Sequence, residues 1–208
     1  MAQAKGLSES EQSNLTTLLQ GQPESVEALQ GLIDKIKIRA VQIATDDARV
    51  AARVKGKRSR VVGFDFAYDK SKDDGKNTAR LAEIGIYDYD NDVLVVPIVD
   101  LGKGAVTAIG ERKGYHPALT ADEIEEAKNI ALEQREFQSL KGQSGLEVTA
   151  YPARAAAIPT HPGYGHRCVT LYFWSGGEQP KRVSQAVVDL STRKPISGDA
   201  EGVPFVEP

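Results

Sequence analysis

The sequence predicts an α+β fold of two tandem units, each a helix packed on an antiparallel sheet of about four strands. Three observations carry this. Arg80-Leu81-Ala82-Glu83-Ile84-Gly85-Ile86-Tyr87-Asp88 recurs 87 positions later as Arg167-Cys168-Val169-Thr170-Leu171-Tyr172-Phe173-Trp174-Ser175. Each copy is followed by a turn and a second apolar run closing in Asp-Leu, at Asp100-Leu101 and at Asp189-Leu190. Upstream, Ile43-Ala44 precedes Asp46-Asp47-Ala48-Arg49-Val50 just as Ile130-Ala131 precedes Glu133-Gln134-Arg135-Glu136-Phe137. A match of this length is one folded unit duplicated.

Residues 1–22 are polar and form an N-terminal segment outside the units. The first unit is expected over 23–113. Pro23 suits a first helical turn, and Val26, Leu29, Leu32, Ile33, Ile36, Ala40, Ile43 and Ala44 make one buried stripe at three- and four-residue steps. Asp46-Asp47 caps a short helix running to about Val54. Four strands follow. Arg60–Tyr68 alternates, with Val62, Phe64 and Phe66 on one face, and Asp69–Asn77 is a charged loop. Leu81–Tyr89 and Val93–Leu101 flank the turn Asp90-Asn91-Asp92, whose residue types tolerate hairpin angles. Gly102-Lys103-Gly104 leads into Ala105–Gly110.

The second unit is expected over 114–198, with 199–208 as a tail. Gly114-Tyr115-His116-Pro117 is an extended linker. Thr120 caps a helix, and Glu123 completes a capping box. Ile124, Ala127, Ile130 and Ala131 give its buried stripe, and Gly142 and Gly145 close the helical part. Glu147–Ile158 reads as a strand interrupted by Pro152. Strands then follow at His166–Trp174, at Lys181–Leu190 and, briefly, around Lys194–Ile196.

The 208 residues are 40% hydrophobic, enough for an ordinary core in two small domains. A net charge of −3 favours neither nucleic acid nor an anionic membrane. Cys168 is the only cysteine, which excludes an internal disulfide. The N-terminus lacks an apolar signal region, and no run approaches the roughly 18 apolar residues of a membrane span. The expected location is the cytoplasm.

A helix across an antiparallel sheet, used twice, resembles tandem cystatin-like modules. The sequence is most similar to the paired non-catalytic N-terminal domains, N2 and N3, of copper amine oxidases. The likeness runs over about residues 24–196. It is carried by the strand Ile84-Gly85-Ile86-Tyr87-Asp88-Tyr89, the turn Asp90-Asn91-Asp92 and the strand end Val99-Asp100-Leu101. Gly104-Ala105-Val106, the linker His116-Pro117-Ala118-Leu119-Thr120 and the helix start Asp122-Glu123-Ile124-Glu125-Glu126-Ala127 continue it. Those oxidases place topaquinone, formed from a tyrosine in an Asn-Tyr-Asp/Glu setting, and copper on three histidines in a large C-terminal β-domain. Here none of the seven tyrosines follows an asparagine, and the three histidines form no His-x-His pair. The chain ends before such a domain could begin. The resemblance therefore implies an accessory module with no cofactor and no oxidase activity.

Several groupings invite chemistry. His161, His166 and Cys168, with His116 as a distant fourth, are metal-ligand candidates. The competing reading is a Gly/Pro loop entering a strand, with Cys168 as a small core residue. Asp88-x-Asp90-x-Asp92 has the spacing of half a calcium loop, but lacks its glycine and its closing glutamate. A solvated hairpin tip accounts for it. Asp100 and Asp189, at equivalent strand ends, suggest a turn role in both units. Lys55, Lys57, Arg58 and Arg60, with Arg53 nearby, form a basic cluster that reads as a solvated edge, away from any aromatic platform and balanced by Asp69, Asp73 and Asp74.

The functional expectation falls on strand alternation. Tyr172 and Trp174 share one face and Phe173 the other, so Tyr172 and Trp174 are the binding candidates. Phe64, Phe66, Ile84, Ile86, Leu171 and Phe173 are core candidates. The expected function is a non-catalytic interaction protein that binds a protein partner or a second copy. The alternative is a small-ligand carrier or enzyme with a pocket in the concave sheet face, for which Tyr172, Asp88, His166 and Arg167 are the polar candidates. Inhibition of cysteine proteases is disfavoured, because no Gln-x-Val-x-Gly loop is present.

Overall fold

The computed structural model describes residues 26–67, 81–177 and 179–196, together with Ser8, Ser10 and Ser13. The rest of the polar segment 1–22, Pro23, the loop Asp69–Asn77, Arg80 and the tail 199–208 lie outside the described residues. The chain divides into two compact units, Met1–Pro117 and Ala118–Pro208. The linker Gly114–Pro117 falls with the first unit, where Tyr87 Oη lies 3.3 Å from His116 Nδ1.

In the first unit, helices α1 (Val26–Asp46) and α2 (Ala48–Val54) precede strands β1 (Ser59–Ala67), β2 (Leu81–Asp88), β3 (Val93–Asp100) and β4 (Ala105–Lys113). The sheet is antiparallel in the order β1-β2-β3-β4. The stripe Ile36, Ala40, Ile43 and Ala44 is buried in one cluster with Ala82, Ile84, Ile86, Val95 and Val99. Helix α1 stops where Asp47 turns extended and accepts the Arg49 amide on its carboxylate, which makes it the N-cap of α2.

A bulge between Val61 and Gly63 changes the expected parity of β1. Val61, not Val62, lies opposite Ile86 and packs on the core beside Phe64 and Phe66. One extra residue in a strand reverses which side chains face inward. Phe64 and Phe66 are consequently half-buried, in edge-on contact 5.1 Å apart.

In the second unit, α3 (Ala121–Leu132) is followed by a 3-10 turn (Arg135–Leu140), β5 (Glu147–Pro152), a second 3-10 turn (Arg154–Ala157), β6 (Cys168–Trp174), β7 (Arg182–Asp189) and β8 (Lys194–Pro195). The sheet order is β5-β6-β7-β8, again antiparallel. The capping box is present: the Glu123 amide donates to Thr120 Oγ1 and the Thr120 amide to Glu123 Oε2. The strand expected to reach Ile158 ends at Pro152, and the chain coils into the 3-10 turn beyond it. Proline supplies no N–H for a longer ladder. Helix α3 ends at Leu132, and a 3-10 turn carries the helical part on to Leu140, just before Gly142.

The duplication is visible within each unit. Ile43 and Ala44 are buried, as are Ile130 and Ala131. Val50 on α2 and Phe137 on the 3-10 turn, also 87 positions apart, are both buried. Leu81 pairs with Asp100 and Cys168 with Asp189. Asp100 Oδ1 accepts the amides of Gly102 and Lys103 at 3.0 and 2.9 Å. Asp189 Oδ1 accepts those of Ser191 and Thr192 at 2.8 and 3.1 Å. Each aspartate therefore ends its strand by building the same turn.

Candidate functional site

On β6, Val169, Leu171 and Phe173 point inward and are buried, with the Phe173 ring 5.6 Å from that of Phe137. Thr170, Tyr172 and Trp174 point the other way and stay partly exposed. Register places Tyr151 opposite Thr170, Thr149 opposite Tyr172, and Glu147 opposite Trp174. On the other flank Gln185 pairs with Tyr172 and Arg182 with Trp174, across a bulge that leaves Val183 45% exposed. Three aromatic rings thus share one outward sheet face.

The rings are braced. Trp174 Nε1 donates to Thr149 Oγ1 at 2.9 Å. Tyr151 and Tyr172 meet edge-on at 6.0 Å, and the Arg182 guanidinium lies 5.5 Å from the Tyr172 ring centre. Tyr151 is 56% exposed and is the ring that sequence reading did not single out. Its signal was its position two residues beyond Thr149, obscured because the strand was read through to Ile158.

The histidine–cysteine stretch forms no metal cage. His166 Nδ1 bonds Asp189 Oδ2 at 2.7 Å, and His161 Nδ1 accepts the Gly163 amide at 3.1 Å. Cys168 Sγ donates to the Gly163 carbonyl at 3.5 Å. Among the described residues, no three His, Cys, Asp or Glu side chains are grouped to hold a metal ion. Cys168 is buried, but on the outward parity of β6, with Gly163 packed close above its sulfur. It is a small core residue, and the Gly163 loop packs on it.

The tip of the acidic hairpin is solvated at Asp90 and Asn91, but Asp88 at its base is buried. Asp88 is 2% exposed and accepts Lys57 Nζ at 2.9 Å, Asn91 Nδ2 at 2.8 Å and the amides of Asp90 and Asn91. Burial opposes its charge, yet Lys57, Asn91 and the Asp90 amide hold its carboxyl below the usual carboxylate range. Asp90 Oδ2 accepts the Arg58 amide and Asp92 Oδ1 the Tyr87 hydroxyl, so the three carboxylates face different partners. Lys57, Arg58 and Arg53 of the basic cluster are correspondingly engaged. Arg58 stands 4.5 Å over the Tyr89 ring, an aromatic platform the sequence did not reveal, and Arg53 pairs with Glu111. Asp69, Asp73 and Asp74, its expected counter-charges, lie outside the described residues.

The polar set expected for a pocket is otherwise committed. Arg167 donates from Nε and Nη2 to Glu123 and from Nη2 to the Ala118 carbonyl. His166 is held by Asp189, and Asp88 belongs to the first unit. The helix-bearing face of the first sheet is filled by α1. A cavity of about 630 Å3 lies beside it, between α2 and the start of β1.

No described helix is long and apolar enough to cross a membrane. No family profile matches this chain, and no curated protein matches it. Among solved structures it is similar to a copper-containing benzylamine oxidase from Hansenula polymorpha, at 15% identity and a TM-score of 0.48. The alignment covers 76% of this chain and 28% of that one.

Proposed function

We propose that this chain is a non-catalytic binding module of two cystatin-like units, akin to the N2 and N3 domains of copper amine oxidases, and that it meets a protein partner in the cytoplasm through the outer face of its second sheet. The observation that carries this is the alignment of Tyr151, Tyr172 and Trp174 on one exposed face, braced by Thr149 and Arg182. Aromatic rings and arginine are the residue types most enriched at contact centres. Rings already held by neighbours lose little side-chain freedom on docking, so more of the contact energy appears as affinity. A second copy of the chain is a partner of the same kind.

The test compares the wild-type chain with Tyr172→Ala/Trp174→Ala as baits in lysate, with the fold of the variant checked by circular dichroism. Retention of a protein by the wild type and its loss from the folded variant is the expected result. Equal retention by both would overturn the assignment of this face. Self-association is read separately, because Trp174 is the single tryptophan. Its emission should shift to the blue with protein concentration if a second copy covers it.

A further inference from the structure

The cavity in the first unit is walled by Ala48, Ala51, Ala52 and Val54 on one side and by Val61 and Ile86 on the other. It exists because α2 turns alanines toward the start of β1. Positions 48, 51 and 52 recur at helical steps, and methyl groups are too short to close the gap. It is an open groove, with Thr45, Ala48, Ala52 and Lys55 exposed along it and Ile86 of the buried cluster lining its base. A volume of about 630 Å3 lies within the roughly 300–1,000 Å3 of small-molecule sites.

The polar part of the lining is one-signed. Lys55 and Arg60 border the cavity, Thr45 and Ser59 add hydroxyls, and no described lining residue is acidic. Around it, Lys57 is paired with Asp88 and Arg53 with Glu111. Lys55 is exposed and makes no ion pair or side-chain hydrogen bond among the described residues. Among the described residues, Lys55 is an uncommitted cation of the basic cluster, and it borders the apolar groove.

We infer that this cavity is a binding site for a single-chain carboxylate amphiphile, a medium-chain fatty acid. The hydrocarbon lies against the alanines with its end toward Ile86, and the carboxylate meets Lys55, with Arg60 adding positive potential. Charge complementarity selects an anionic head, and the apolar walls select a chain of methylenes. A flexible chain fits along the groove, with its apolar end at Ile86.

The inference stands apart from the binding face of the second unit and is tested separately. Decanoate, below its micelle concentration, is titrated calorimetrically into the wild-type chain, Ala51→Phe, Ala52→Phe, Lys55→Glu and Tyr172→Ala/Trp174→Ala. Saturable binding to the wild type and to the Tyr172/Trp174 variant is expected. Each folded phenylalanine variant should lose it. If Ala51→Phe does not fold, Ala52 is exposed and its variant carries the test. Lys55→Glu should weaken decanoate about tenfold, a typical scale for reversing one charge contact, and leave decanol within about twofold. Absence of saturable binding would overturn the inference, as would binding that the phenylalanines leave intact. Equal loss of decanol and decanoate in Lys55→Glu would overturn the placement of the carboxylate.

Discussion

Arg167 and Glu123 form a two-pronged ion pair, Nε to Oε1 and Nη2 to Oε2 at 2.9 Å each, with side chains 1% and 0% exposed. The pair joins the start of β6 to the first turn of α3. Glu123 also receives the Thr120 amide, so one carboxylate serves both the helix cap and the sheet. Glu123 thereby takes a place in the buried stripe that the sequence assigned to Ile124, which is only half-buried.

Breaking this pair from one side leaves a buried charge without its partner. Arg167→Met and Glu123→Gln are each expected to destabilise the second unit by about 3–5 kcal/mol. The double variant Arg167→Met/Glu123→Leu should cost clearly less than the sum. Urea unfolding followed by Trp174 emission reads the second unit directly. Additive losses would contradict a coupled pair.

Asp88 ties the β2–β3 hairpin to the loop before β1. Its carboxyl is held below the usual range, so the unfolded chain binds this proton more tightly than the folded one. The stability it contributes is present above about pH 4 and is lost as pH falls through the lower folded-state value. Protection of the Asp90 and Asn91 amides, which donate to Asp88, should fall on acidification when exchange is taken relative to the intrinsic rate at each pH. In Asp88→Asn the same amides should exchange faster at neutral pH and respond less to acid.

A Cβ on Gly163 would lie 2.7 Å from both Cys168 Sγ and Ile196 Cδ1. Gly163→Ala is expected to cost about 1–3 kcal/mol by overpacking. It should also lift the loop from the sulfur. In the wild type, Cys168 should react with an aromatic disulfide reagent only on opening, as befits a buried thiol. An unchanged labelling rate in the variant would show that the loop is not the cover.

Neighbouring rings on β6 should separate by role. Phe173→Ala removes a fully buried ring packed on Phe137 and is expected to cost about 3–5 kcal/mol. Tyr172→Ala should cost about 1 kcal/mol or less, since its ring is partly exposed already. Thermal unfolding by circular dichroism makes the comparison, and equal losses would mean that the outer face is structural.

The sequence alone made the repeat, the α+β class and the two alternating faces of β6 legible, and the fold decided which of those faces turns inward. The legible features depend on periodicities of two and 3.6 residues, which stand in the chain itself. Asp100 and Asp189 were legible as turn builders because their partners lie two and three residues away. Tertiary structure alone decided what depends on residues far apart in the chain. The bulge at Val61 follows from the register of β1 on β2. Asp88 is buried because Lys57 arrives from 31 positions upstream, and Arg58 finds Tyr89 for the same reason. Tyr151 joins Tyr172 only through strand pairing, and the cavity against α2 arises where helix and sheet fail to close on three alanines. Local preference is written residue by residue. Pair geometry and unfilled space exist only once the chain has folded back on itself.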